Sequence, residues 1–81
     1  PPLSEDWPDP EDLEQRLGDR EEALHIHRVL HTLPEPYREV FWLRTFGELS
    51  FAQIAGLFDK TESWARVTYH RARMKIKEEL A

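Results

Sequence analysis

Three histidines and a run of cations are the side chains of this 81-residue chain best equipped for chemistry. His25, His27 and His31 lie close together, and His27 and His31 are four apart, a spacing that puts both on one helical face. A zinc site needs about four donors. The chain offers no cysteine, and the nearby carboxylates have the pattern of ordinary surface residues. The three therefore read as surface or half-buried histidines, and no metal is expected. Covalent or acid–base catalysis finds no footing either. There is no nucleophile with a neighbouring base, no phosphate-binding glycine loop and no carboxylate pair in an apolar setting. Neither an enzyme nor a cofactor is expected. What remains is charge. Residues 60–77 hold six Lys or Arg against a single Glu, in a chain whose formal net charge is −5. Cations concentrated in one segment against an acidic background resemble an electrostatic footprint for phosphate.

The elements that must position those cations are readable at residues 50–79. Ser50 can cap a helix, and Gln53 can reach back to it to complete a capping box. Ile54, Ala55 and Phe58 then share one face at helical spacing, and Ala55 is small where a second helix must cross closely. Asp59 and Lys60 break the pattern. Thr61 is a second N-cap, with Glu62 suited to the first turn of the helix that follows. In that helix Ala65, Thr68 or Tyr69, Ala72 and Ile76 make an inward stripe, which leaves Arg66, Val67, His70, Arg71, Arg73 and Lys75 on other faces. A short capped helix, a tight turn and a longer cationic helix have the plan of a helix-turn-helix. Lys60, Thr61 and Ser63 are candidates for phosphate contacts at the second helix's N-terminus, where backbone N–H groups point outward. Trp64 is expected to cover the core.

From Leu33 to Leu80 the chain resembles the C-terminal domain, region 4, of bacterial RNA polymerase sigma factors, and within them the group that responds to extracytoplasmic signals. The resemblance is carried by L-P-E-P-Y-R-E-V-F at 33–41, L-S-F-A-Q-I-A at 49–55 and H-R-A-R-M-K-I at 70–76. It implies reading of the promoter −35 element in the major groove of double-stranded DNA. Arg66, Val67, His70 and Arg71 match family positions that face the bases or the adjacent backbone. An arginine there could grip guanine O6 and N7, and Val67 could touch a thymine methyl. Arg73, Lys75 and Lys77 stand further along as general cations. The resemblance also implies docking on the flap of the polymerase beta subunit and masking by an anti-sigma factor. The chain departs from the family pattern in its turn, where Asp59 and Lys60 replace the usual Gly and aliphatic residue, and at Trp64 and Ala65.

The rest of the chain sets the frame. Eighty-one residues allow one small domain with a thin core. No stretch approaches the roughly 18–20 apolar residues of a membrane span, so no membrane insertion is expected. Absence of cysteine fits a reducing, cytoplasmic setting. The start at Pro1 and Pro2, without Met, suggests a piece of a longer protein. Residues 1–12 carry four prolines and five acidic groups, the composition of a linker or tail. Trp7 is its one costly residue to leave in water, and docking on the helical body is expected of it. Residues 10–17 can make a short helix capped by Asp9. Residues 1–18 are therefore read as an acidic, proline-rich tail, and residues 19–81 as the domain. The expected fold is all-α, a small bundle of four to five helices ending in a helix-turn-helix with a long basic recognition helix.

A helix over residues 19–32 should bury Ala23, Ile26 and Leu30, with Leu33 beyond its end. Another over residues 36–46 should end at Gly47 through a left-handed cap. Tyr37, Val40, Phe41, Trp42, Leu43 and Phe46 crowd this second helix. A helix apolar on so many sides is buried on more than one, and surplus aromatic surface would serve a partner. Tyr37, Phe41, Trp42 and Phe46 are the candidate partner-binding residues, and Arg38 and Arg44 could touch either DNA phosphates or that partner. Two rival readings stay open. One is a protein-interaction module, bound mainly by polymerase or an anti-sigma factor. The other is the DNA-binding domain of a different helix-turn-helix regulator.

Overall fold

A computed structural model of the chain describes residues 18–81. Four helices occupy them: α1 (Arg20–Thr32), α2 (Tyr37–Thr45), α3 (Phe51–Phe58) and α4 (Glu62–Leu80). The short helix expected over residues 10–17 and the docking of Trp7 lie outside the described residues. Each helix starts where a side chain can satisfy orphan backbone donors. Asp19 accepts from the amides of Glu21 and Glu22 at the head of α1. Ser50 and Gln53 form the reciprocal capping box of α3, at 3.1 and 2.9 Å. Thr61 Oγ1 accepts from the Trp64 amide to open α4. Pro36 has no capping side chain, and Glu35 does the work instead. Its carboxylate accepts from the Glu39 amide at 2.9 Å while also receiving Nε and Nη2 of Arg38. The Glu39 amide bond holds the Glu35 carboxyl below its ordinary range, against a desolvation that raises it and with further help from Arg38.

Two turns differ in their chemistry from the sequence expectation. Gly47 does not supply a left-handed cap at the end of α2; the positive φ, 56°, falls on Glu48. Gly47 is needed there for room, since a Cβ on it would come 2.7 Å from the Leu43 carbonyl oxygen. That carbonyl also accepts the Leu49 amide, which turns the chain toward α3. In the α3–α4 turn, Asp59 takes the left-handed conformation at φ 56° and ψ 45°. Asp tolerates that region better than most residues, which explains how the turn closes without a glycine. The Lys60 amide then bonds the Ala55 carbonyl at 2.9 Å and fixes the exit direction.

Helix α4 is the member on which the other three pack. Its inward stripe is Ala65, Thr68, Ala72 and Ile76, all buried. The two alanines are fully excluded from solvent, and their small side chains allow close helix approach. One core cluster joins Ile26, Val29, Leu30 and Leu33 to Phe41, Ala72 and Ile76. The other joins Val40, Phe51, Ile54, Ala55 and Ala65, with Phe58 and Trp64 packed against it. Tyr69 belongs to the edge of both and stacks on Phe41 at 5.8 Å. The inner face of α1 is rotated slightly from expectation, because Val29 is buried and Ala23 only half-buried.

Candidate nucleic-acid interface

With Ala65, Thr68, Ala72 and Ile76 turned inward, helical geometry sends Ser63, Val67 and His70 to the opposite side of α4 and puts Arg66 and Arg71 on its two flanks. Ser63 and Arg71 are exposed, whereas Arg66, Val67 and His70 are half-buried. Lys60 and Thr61 are exposed in the turn just before them. All seven sequence candidates therefore lie in one turn or on the outward half of α4. Thr61 Oγ1 is occupied as an acceptor by the Trp64 amide, and its hydroxyl proton remains suited to a phosphate oxygen. Met74, 48% exposed, continues the same face one turn beyond His70. The spacing 63, 67, 70, 74 would have found it; attention to charge passed over it.

Arg66 is held by two neighbours. Its Nη2 lies 3.5 Å from Glu62 Oε1, one turn back on α4. Its guanidinium also sits 5.2 Å from the ring of Phe51, the first residue of α3. A second guanidinium, that of Arg44, lies 4.2 Å from the same ring, and its Nη1 donates to the Leu49 carbonyl. Two cations from α2 and α4 thus share one aromatic ring beside the N-terminus of α3. Such pairs keep planar guanidiniums ordered. Sequence reasoning gave Arg44 either of two roles and gave Phe51 none, because contacts between helices leave no local periodicity. The cations further along α4 also rest on rings: Arg73 on Tyr69 at 5.8 Å and Lys75 on Tyr37 at 5.1 Å.

The aromatic helix divides in two. Phe41 is 1% exposed and stacks inside the core, so it is removed from the candidate partner surface. Tyr37 is half-buried and packs against the first cluster. Trp42 and Phe46 remain at the surface, 47% and 37% exposed. Their rings are 4.5 Å apart, and His27 stacks on Phe46 at 5.3 Å. Beside them a groove of about 440 Å³ runs between α1 and α2, lined by Leu30, His31, Glu35, Arg38 and Trp42 among others. His25 and His31 are exposed and His27 is half-buried. Among the described residues no group of three or more His, Cys, Asp or Glu is placed to hold a metal ion.

A family model, described as sigma-70, region 4, matches residues 23–76, the span that holds nearly all of this architecture. The chain belongs to the sigma-70 region 4 family. Curated proteins and solved structures yield no match to it. Region 4 is a DNA-binding regulatory domain of transcription factors of the sigma type, not a catalytic one, and implies contact with promoter DNA and RNA polymerase. In this region 4 domain, no described helix is long and apolar enough to cross a membrane.

Proposed function

We propose that residues 19–81 form the −35-reading and polymerase-docking domain of an alternative sigma factor of the extracytoplasmic-function group, acting in the cytoplasm. The observation that carries the reading is the two-sidedness of α4. Its inner stripe is sealed in the core, while Arg66, Val67, His70 and Arg71 stand on the side a major groove would meet. B-DNA's major groove is about 12 Å wide and admits one helix. In this reading Arg66 and Arg71 bond base edges or the flanking backbone, and Val67 makes apolar contact with a thymine methyl. His70 lies between them against the groove wall. Lys60, Thr61 and Ser63 meet phosphates at the head of α4, and Arg44, sharing the Phe51 ring with Arg66, extends the phosphate contact to α2. The exposed Trp42 and Phe46 support docking of α2 on the polymerase beta-subunit flap, and on an anti-sigma factor when the domain is masked.

Paired variants test the assignment of readers. Arg66→Ala should weaken binding of a preferred duplex by about 1–3 kcal/mol and relax preference at one base pair. Lys75→Ala should weaken all duplexes slightly and equally. Fluorescence anisotropy against single-base variants of the duplex reads both. Equal losses across every duplex for Arg66→Ala would remove it as a base reader and leave it a phosphate contact.

A further inference from the structure

Phe51 carries two of the cations assigned to DNA and has nothing with which to bind DNA itself. Its side chain has no polar atom, is 3% exposed, and packs with Val40, Ile54, Ala55 and Ala65. Tyr69 lies 5.6 Å from its ring at a tilt of 57°, and Tyr69 in turn stacks on Phe41 in the other core cluster. The ring is thus seated from the core side. Over it lie the guanidiniums of Arg44, from the last turn of α2, at 4.2 Å, and of Arg66, from α4, at 5.2 Å. We infer that Phe51 is a positioning residue: it holds Arg44 and Arg66 as one coupled pair, whose mutual repulsion is relieved when a duplex covers both. The relief rests on the proposal that this face binds DNA; the seating of both arginines on Phe51 does not.

A ring quadrupole attracts each cation placed over it, yet two cations brought to one ring repel each other. The two distances put the charges within about 10 Å of each other, about one Debye length at ordinary salt, so the repulsion is only partly screened. Glu62 lies 3.5 Å from Arg66 but is itself exposed, and offsets only part of that charge. Arg44 cannot swing away freely, because its Nη1 donates to the Leu49 carbonyl at a part-buried site. Both arginines therefore stay near the ring in the free domain, at a cost set by their repulsion. A duplex brings negative charge to both and removes that cost. The gain needs both cations, so the loss of either also removes it, and the loss of the second then removes nothing more than its own contact. Without the ring the two guanidiniums are no longer drawn to one place, and each contributes independently. A buried phenyl group thereby ties an arginine of α2 to an arginine of α4 without meeting the duplex.

A double-substitution cycle on the full 81-residue chain tests the coupling. The probe is the most enriched duplex of a randomised pool, and binding is read by fluorescence anisotropy at low salt. Arg44→Gln and Arg66→Ala should each weaken binding. The double variant should bind about threefold or more tighter than the product of the single losses, a common scale for interacting neighbours. That excess should shrink as salt rises. On a Phe51→Met background, which keeps a flexible apolar side chain in the core, the two losses should simply multiply. Ile54→Val, an aliphatic change in the same cluster, should keep the excess and so separates the ring from core stability. In the free chain the Nε–H NMR signals of Arg44 and Arg66 should be ring-shifted, and should return to ordinary arginine positions in Phe51→Met. Losses that multiply in the parent chain would overturn the inference, as would an excess that survives Phe51→Met or ignores salt. If Phe51→Met does not fold, the parent cycle and its salt dependence decide alone. Unshifted Nε–H signals would overturn the seating itself. Single-base variants of the duplex keep the two proposals apart: equal losses on every duplex for Arg66→Ala would remove base reading and leave the coupling, a matter of charge, intact.

Discussion

Arg66 is where the chemistry of the interface is decided. Glu62 and Phe51 hold its guanidinium before any ligand arrives, which reduces the rotamer entropy lost on contact. Arg66 and Glu62 are both partly exposed, so their pair is a guide for the side chain and a minor contributor to stability. Glu35 plays a comparable part at the head of α2. Its carboxyl is held below the ordinary glutamate value of 4.5 by the Glu39 amide and by Arg38. A depressed folded value means the stabilisation is complete above the unfolded value and is lost as pH falls through the folded one. Carbon-detected NMR titration should therefore place the Glu35 midpoint below the ordinary glutamate value, and Glu35→Gln should flatten the acid limb of the stability curve. A Glu35 midpoint at or above the ordinary value would remove the carboxylate as the cap of α2. Much at this level was readable beforehand. Ser50, Gln53 and Thr61 cap as their spacing says, because capping is local. The sharing of Phe51 by Arg44 and Arg66 was hidden, because it joins α2, α3 and α4 across breaks in sequence.

The helices were readable because their periodicity is strong, and the turns between them less so. The inward stripe of α4 appears in sequence as small and apolar residues at spacings of three and four, and the structure buries all of it. Helix α2 was read as apolar on too many sides, and the packing divides that surplus. Val40 and Phe41 go into the two core clusters, and Trp42 and Phe46 go outward. Sequence could not make that division, because it depends on where α4 lies. The turn after α2 misled for another reason: glycine has two uses, positive φ and lack of a Cβ. Gly47 serves the second and Glu48 takes the left-handed residue's place. Gly47→Ala should consequently destabilise the domain by about 1–3 kcal/mol, as overpacking does. Glu48→Gly should be neutral or stabilising by up to about 1 kcal/mol, by relieving the left-handed strain. Chemical denaturation of the two variants checks the pair. A Gly47→Ala domain of unchanged stability would contradict the steric role of Gly47, and a destabilised Glu48→Gly would contradict the strain at Glu48.

For the molecule as a whole, a thin core makes α4 both scaffold and reader. Ile76 is fully buried in the cluster that ties α1 and α2 to α4. Ile76→Ala should cost about 2–5 kcal/mol, a large part of the roughly 5–15 kcal/mol available to a small domain. Thermal unfolding should show it as a large drop in Tm, with DNA binding lost in parallel. An Ile76→Ala domain that kept its Tm would mean the α1–α4 packing is not what holds the reading helix in place. The overall architecture, all-α with a terminal helix-turn-helix, followed from the sequence. The central claim is that the outward face of α4 reads bases, and selection from a randomised duplex pool tests it most directly. The domain is mixed with the pool at low salt, and the bound fraction is sequenced for the parent chain and for Arg66→Ala. The account predicts enrichment of one short motif whose preference at one position disappears in Arg66→Ala. A pool that stays random, with binding that fades uniformly as salt rises, would contradict it and leave α4 a cationic surface without a code.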